Sequence, residues 1–276
     1  MQGTTNKTNM EDMKKAIFNS EYGNIYYELS NAKKKPVIIF THGVGMDHQT
    51  FEMQVEVLKS DYSVLVWDLP GHGRSTIKEQ KERFTKMSAD CLNRLMTELE
   101  INKAIFVGQS LGSMIVQHFQ IKHPKKVIAA IHVPGIELKS HVGSWSKIFV
   151  PFMMFMLNLI PSKTFYKSFG KHRAVKKDVQ KYLSETMSRT GKKLALKITK
   201  DMVYDLIEKS PKPVKVPLLI TYGKKDLFFI RNAAKKWHRK ETGSNCTEIQ
   251  NANHIANQDN PEEFNKAVID FLEALE

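Results

Sequence analysis

The sequence predicts an α/β protein with a mostly parallel central sheet flanked by helices, and with a helical insertion in its second half. Short runs rich in β-branched and aromatic residues alternate with longer runs of helical periodicity, which is typical of a sheet with helices on both sides. Several short runs are apolar throughout, as expected of parallel strands that are covered on both faces. After residue 135 the strand pattern stops for a long stretch, which indicates the insertion.

The predicted elements follow from these patterns. Strands are expected at residues 24–29, 36–40, 63–67, 103–107, 127–133, 217–222 and 247–250. Helices are expected at residues 87–99, 111–122 and 261–275, each with apolar residues at helical spacing. The last helix carries start signals, because Asn260 is a typical N-cap and Pro261 suits the first helical position.

The insertion interrupts the predicted core domain. Residues 1–135 and 213–276 form the predicted core, and residues 136–212 form the insertion. The insertion is rich in Lys, Met and Phe, and it is interrupted at Pro151, Pro161 and Gly170. We therefore expect several short helices there rather than strands.

Length and composition agree with a soluble globular chain. The 276 residues suit one domain with an insertion, and 41% hydrophobic and 26% charged residues are ordinary values. The N-terminus lacks a secretory pattern. The longest mainly apolar run, Ile148–Ile160, is shorter than the roughly 20 residues that cross a bilayer. We expect a cytoplasmic protein.

The net charge of +13 is concentrated in the insertion, which holds 16 Lys and Arg against 6 Asp and Glu. Two interpretations stay open. The basic insertion faces an anionic membrane or an anionic substrate, or it is a solvated outer surface of helices. No nucleic-acid partner is expected, because the basic residues have no regular aromatic interleaving and match no binding module.

Residues 108–112 (GQSLG) match the nucleophile-elbow pattern G-x-S-x-G, in which Ser110 is the nucleophile. The predicted context fits, because the motif follows a strand and opens a helix. A helix N-terminus also directs N–H groups toward developing negative charge. The alternative is a glycine-rich turn with a solvated serine.

Acid and base partners for Ser110 are expected at the ends of later strands. Asp226 follows the strand at 217–222, and His254 follows the strand at 247–250. The carboxyl edge of a parallel sheet is where such sites form. Asp68, His72 and Ser75 lie in one turn, which is too short to direct them at one another as a relay. His42 is interpreted as structural.

Together these motifs resemble the α/β-hydrolase superfamily, in its capped single-domain branch. The resemblance rests on HGVG at 42–45, DLPGHGRS at 68–75, GQSLG at 108–112, YGKKD at 222–226 and NANH at 251–254, in the family's order. It implies Ser110 as nucleophile, Asp226 as acid and His254 as base. It also implies an oxyanion hole formed by the amides of Val44 and Leu111, and it makes the insertion a cap over the site.

The resemblance implies a serine hydrolase that cleaves a carboxylic ester and needs neither a metal nor another cofactor. The apolar run at 148–157 is expected to be buried or to line a pocket for an apolar acyl group, with Phe152, Met153 and Met156 as substrate-binding candidates. A monoacylglycerol or lysophospholipid fits this expectation. A lactonase, thioesterase or carbon–carbon bond hydrolase with the same triad, and a small-molecule sensor on this scaffold, remain alternatives.

Overall fold

The computed structural model describes residues 13–30, 36–78, 81–138, 146–208, 213 and 215–276, and gives only the backbone of residues 146–149. The first twelve residues of the predicted core and the predicted upper boundary of the insertion, Lys212, lie outside these ranges.

One sheet of eight strands forms the centre of the described chain. The strands are β1 Lys14–Ser20, β2 Gly23–Leu29, β3 Val37–Thr41, β4 Val64–Trp67, β5 Ala104–Gln109, β6 Val127–Val133, β7 Leu218–Gly223 and β8 Asn245–Ile249. Their order across the sheet is β1-β2-β4-β3-β5-β6-β7-β8. Strand β2 pairs antiparallel with β1 and β4, and all other pairs are parallel. The carboxyl ends of six parallel strands therefore meet at one edge.

Ten helices accompany the sheet in the described ranges. They are α1 Glu52–Leu58, α2 Phe84–Glu98, α3 Leu111–Lys122, α4 Ser146–Leu159, α5 Ser162–Arg173, α6 Lys177–Thr190, α7 Lys192–Ile207, α8 Phe228–Lys240, α9 Ala256–Asp259 and α10 Pro261–Glu273. The N-cap of α10 is Asn260, whose side chain accepts a hydrogen bond from the Glu263 N–H at 3.4 Å.

Alternating strand residues supply two apolar cores, one on each face of the sheet. Ile39 and Phe106 face the core shared with α2, α3 and α8, whereas the neighbouring Ile38 and Val107 face the core shared with α1 and α10. This alternation follows from the two-residue period of a strand. Because both faces are covered, the strands are apolar throughout, as the sequence predicts.

Helices α4–α7 lie between β6 and β7, where the insertion is predicted. Asp205 on α7 fixes this unit to the core, because its carboxylate accepts a hydrogen bond from Arg83 at 2.9 Å and from the Thr85 hydroxyl. The ring of His118 on α3 lies 3.2 Å from the same carboxylate. The buried Asp205 thus joins α7 to α2 and α3.

The predicted fold class is confirmed, but two details differ. Strand β1 was not predicted, because its side chains are largely exposed or half-buried and lack a continuous apolar run. The apolar run in α4 is not buried on all sides, since Phe152, Phe155, Met156 and Leu159 are exposed. Among the described residues, no helix is both long and apolar enough to cross a membrane.

Candidate active site

Ser110 lies in a strained turn between β5 and α3. Its backbone φ is 52° and ψ is −109°, which is unusual for a residue with a side chain. The turn is held by the Ser110 N–H, which donates to the Val133 carbonyl at the end of β6 at 2.7 Å. The strain leaves the serine half-buried at the carboxyl edge of the sheet, next to the N-terminus of α3.

The two glycines of the elbow are required by close backbone contacts. A Cβ at Gly108 would lie 2.6 Å from the Gly112 carbonyl oxygen, and a Cβ at Gly112 would lie 2.0 Å from the Thr41 carbonyl oxygen. Any larger side chain would push α3 away from β3 and β5. The glycines of the motif therefore allow the turn to form where Ser110 needs it.

The three predicted catalytic residues meet in one hydrogen-bonded row. His254 Nε2 lies 3.0 Å from Ser110 Oγ, and His254 Nδ1 lies 3.0 Å from Asp226 Oδ2. The other carboxylate oxygen, Asp226 Oδ1, accepts from the Leu227 N–H at 2.7 Å. His254 and Asp226 are buried, so the row is shielded from water except at the serine.

The surroundings of His254 favour its neutral form. Burial, and next the positive charge of the half-buried Arg173, lower the pKa of His254, while the hydrogen bond and charge of Asp226 oppose them. A neutral imidazole with its Nδ1 proton held by Asp226 leaves Nε2 as an acceptor toward Ser110. This is the state that a general base requires.

The predicted oxyanion amides belong to the two segments that follow the neighbouring strands β3 and β5. Leu111 is the first residue of α3, and Val44 lies in the loop that follows β3, the neighbouring strand in the sheet. Within the residues that the structure describes, the N–H groups of Val44 and Leu111 donate to no other protein atom. Unsatisfied donors at this edge suit an anionic oxygen.

His42 supports the loop that carries Val44. Its buried ring donates from Nδ1 to the Gly43 carbonyl at 2.8 Å and accepts at Nε2 from the Leu69 N–H at 3.0 Å. Burial lowers its pKa, in agreement with a neutral ring. The position matches the structural role that the sequence indicates.

Asp68, His72 and Ser75 do not form a relay. Asp68 binds the ring of His48 at 2.8 Å, His72 donates to the Pro70 carbonyl at 3.1 Å, and the Ser75 hydroxyl donates to the Asp68 carbonyl at 2.8 Å. These contacts do not join the three side chains to one another, and the turn serves as a support for the neighbouring loops.

A buried carboxylate that the sequence did not single out fixes the loop of His254. Asp259 accepts hydrogen bonds from the N–H groups of Asn253 at 2.8 Å, Val175 at 2.8 Å and Lys176 at 3.0 Å. The last two belong to the segment between α5 and α6. Asp259 therefore joins the histidine loop to the insertion, and no local pattern could have predicted a contact over more than 80 residues.

The predicted substrate-binding residues lie on α4. Phe152 and Met156 are exposed, and Met153 is half-buried. Their assignment to a substrate pocket stays a prediction.

Known proteins share this architecture. A family model described as the alpha/beta hydrolase fold matches residues 36–261. The chain is 32% identical over 98 residues to 3-oxoadipate enol-lactonase 1 of Acinetobacter baylyi, a match that spans 36% of each chain. It is 27% identical over 217 residues to the pimeloyl-[acyl-carrier protein] methyl ester esterase of Vibrio atlanticus, covering 73% of this chain and 80% of that esterase.

Solved structures agree. The enol-lactonase of Burkholderia xenovorans superposes with a TM-score of 0.75 at 19% identity, over 94% of this chain and 100% of the other. The fold and the family match define the class: the chain belongs to the α/β hydrolase fold family.

Proposed function

We propose that this chain is a serine hydrolase that cleaves a carboxylic ester with an apolar acyl group through an acyl-enzyme intermediate. The observation that carries the proposal is the row of Ser110, His254 and Asp226, with both hydrogen-bonded contacts at 3.0 Å. A nucleophile, a base and an orienting acid in this arrangement are what acyl transfer requires.

The reaction has two halves. Ser110 Oγ attacks the acyl carbon while His254 Nε2 accepts its proton, and the oxyanion rests on the amides of Val44 and Leu111. His254 then gives the proton to the leaving alcohol, and the acyl group stays on Ser110. In the second half, His254 activates water, which releases the acid and restores the serine. Asp226 stabilises the imidazolium that forms in each half.

Two features support an apolar acyl group. Met153, Met154 and Leu157 are half-buried on the inner side of α4, and Leu227 and Phe228 are exposed directly after the catalytic Asp226. Flexible methionine side chains adapt to irregular apolar ligands. A monoacylglycerol or a lysophospholipid would supply such an acyl group.

A lactone is the second candidate substrate, because the matched relatives include an enol-lactonase. The same three residues open a cyclic ester, and the leaving alcohol then stays attached to the acyl group. Only the contacts that the substrate pocket makes decide which of the two substrates is preferred. A panel of p-nitrophenyl esters of rising chain length together with simple lactones would rank them.

The catalytic assignment is tested with Ser110→Ala. Hydrolysis of a p-nitrophenyl ester should fall by at least about 10⁴-fold, and labelling by a fluorophosphonate should disappear. Ser60→Ala, a change at an exposed serine far along the chain, is the matched control and should keep both signals. Labelling that survives in Ser110→Ala would contradict the assignment. A preference for acetate over octanoate esters would contradict the apolar acyl group alone.

A further inference from the structure

The outer face of α4 carries a stripe of large apolar side chains. Phe155 is 59% exposed and Leu159 is 60% exposed. The members of the stripe recur at the spacing of one helix face, and they are Phe152, Phe155, Met156 and Leu159. The inner side of α4 is covered, since Val150 is buried and Met153, Met154 and Leu157 are half-buried. The stripe is therefore a second apolar face on a helix that is already packed.

A contiguous apolar stripe at the surface marks a site of interaction. Single exposed apolar residues are ordinary, but a row of four on one helix leaves a patch of hydrocarbon in water. Burial of such side chains is favourable in proportion to the apolar area removed from water. A partner for this face must therefore offer an apolar medium.

The charge around the stripe narrows the choice of partner. From residue 138 to residue 177 the chain contains eight Lys and Arg residues and not one Asp or Glu. Lys163, Lys167 and Lys171 are exposed at four-residue spacing on α5, the helix that follows α4. In the described ranges, none of these three lysines forms an ion pair. The partner must also be negatively charged.

Two other occupants fit less well. A second copy of this chain would bring one basic, acid-free segment against another, and the like charges would repel. The phosphates of a nucleic acid would pair with the lysines, but a nucleic acid would leave the apolar stripe in water. An anionic lipid surface satisfies both features, because its headgroups attract lysines and its acyl region accepts apolar side chains.

We propose that α4 and α5 form a docking surface for an anionic lipid bilayer. With 14 residues, α4 is too short to cross a bilayer, which takes about 20, so it lies in the plane of the interface. Phe152, Phe155, Met156 and Leu159 enter the acyl boundary, and the lysines of α5 stay at the headgroups with their stems along the apolar layer.

Docking there brings the catalytic edge close to the lipid. The Arg173 carbonyl at the end of α5 accepts a hydrogen bond from the Ile255 N–H at 3.3 Å, next to His254. The surface is thus joined to the histidine loop through a single helix. The proposal concerns binding alone and stands whether or not the substrate is a lipid.

The test measures sedimentation with vesicles of ether-linked lipids, which contain no ester to hydrolyse. One set holds equal amounts of phosphatidylcholine and phosphatidylglycerol, and the other holds phosphatidylcholine alone. The apolar variant is Phe155→Ser with Leu159→Ser. Its matched control is Met53→Ser with Val57→Ser, which changes two exposed apolar residues at the same spacing on α1. Thermal unfolding checks that each variant is folded.

A second pair of variants tests the charge. Lys163→Gln, Lys167→Gln and Lys171→Gln remove the row on α5, and the control set changes the exposed lysines of the core, Lys86, Lys103 and Lys125, to Gln. The light scattering of the protein alone reports its oligomeric state.

We expect the wild type to sediment with the anionic vesicles and to bind those of phosphatidylcholine at least about tenfold more weakly. The apolar variant and the α5 lysine variant should each lose at least about tenfold in binding to the anionic vesicles. Both control sets should bind within about twofold of the wild type.

Three outcomes would overturn the proposal. The wild type stays in solution with anionic vesicles, the apolar variant binds them as the wild type does, or a control set loses as much binding as the test variant to which it is matched. Conversion of a wild-type dimer to a monomer by Phe155→Ser with Leu159→Ser would show instead that this face joins two copies.

Discussion

Two opposite charges, those of Arg173 and Asp226, act on the pKa of His254, the proposed base. Burial, and next the charge of Arg173, lower the pKa of His254, and the hydrogen bond and charge of Asp226 oppose this shift only in part. Arg173 is held in place by its position at the end of α5, where its guanidinium lies 5.1 Å from the centre of the Phe169 ring. The insertion thus acts on the proposed base through one charge.

The pH profile tests this influence. A base with a lowered pKa stays neutral to lower pH, so the acid limb of kcat/KM for a soluble ester should lie below the ordinary value for histidine, about 6.5. Arg173→Met keeps an unbranched side chain but removes the charge, together with the guanidinium contact to Phe169. The acid limb should then move to higher pH. Lys171→Met, an exposed change on the same helix, should leave the limb where it is, and an equal shift in both variants would refute the effect.

The loop of His254 and the insertion share one hydrogen-bond acceptor. The carboxylate of Asp259, at the end of α9, binds the N–H groups of Asn253, Val175 and Lys176. A second contact lies beside it, where the Asn253 side chain donates to the His172 carbonyl at 3.2 Å. The loop that places His254 therefore depends on the position of the segment between α5 and α6.

Removal of this acceptor should loosen both elements. Asp259→Ala leaves three N–H groups without their partner, and at roughly 1 kcal/mol or more for each we expect the free energy of unfolding to fall by about 3 kcal/mol. Because His254 loses its fixed position, kcat should fall as well. Urea unfolding and ester hydrolysis measure the two effects.

Asp270→Ala is the control for this change. Asp270 is an exposed aspartate on α10 that pairs with Lys266 at 2.7 Å, and such surface pairs contribute less than about 1 kcal/mol. If Asp259→Ala were no more damaging than Asp270→Ala, the shared acceptor would have no role in positioning His254.

For the whole molecule, the parts that could be predicted are those with local signals. Helix α3 was predicted with its observed bounds, because the elbow glycines and the apolar residues that follow are consecutive in the chain. Asp226 and His254 were expected near Ser110 because parallel strands end at one edge, and the structure brings the three side chains together. The exposed stripe of α4 was not predicted, since an apolar run alone does not tell which of its faces is covered.

Contacts between distant segments were equally inaccessible from the sequence. A buried ionic cluster joins β2, the loop after β3 and the end of β4, since the His48 ring lies 3.3 Å from Glu28 Oε1 and 2.8 Å from Asp68 Oδ1. The Tyr26 hydroxyl donates to the same Glu28 oxygen at 2.6 Å. No spacing rule relates Glu28, His48 and Asp68, because they meet only once the antiparallel edge has joined the parallel sheet.

This cluster makes the stability of the whole molecule depend on pH. Burial alone would lower the pKa of His48, but the hydrogen bonds and charges of Asp68 and Glu28 raise it to about 9. Since the pKa of histidine in the unfolded chain is about 6.5, the stabilisation from this charge is fully present below that value and is lost as the pH rises through about 9. The shift corresponds to about 3 kcal/mol.

Urea unfolding across this pH range measures the loss. The free energy of unfolding of the wild type should decline between about pH 6.5 and 9, whereas His48→Gln, which is uncharged throughout, should start lower and decline less. His172→Gln, a change at an exposed histidine, should keep the wild-type slope. A wild type whose stability is flat over this range would refute the prediction, because the folded cluster would then bind no more protons than the unfolded chain does.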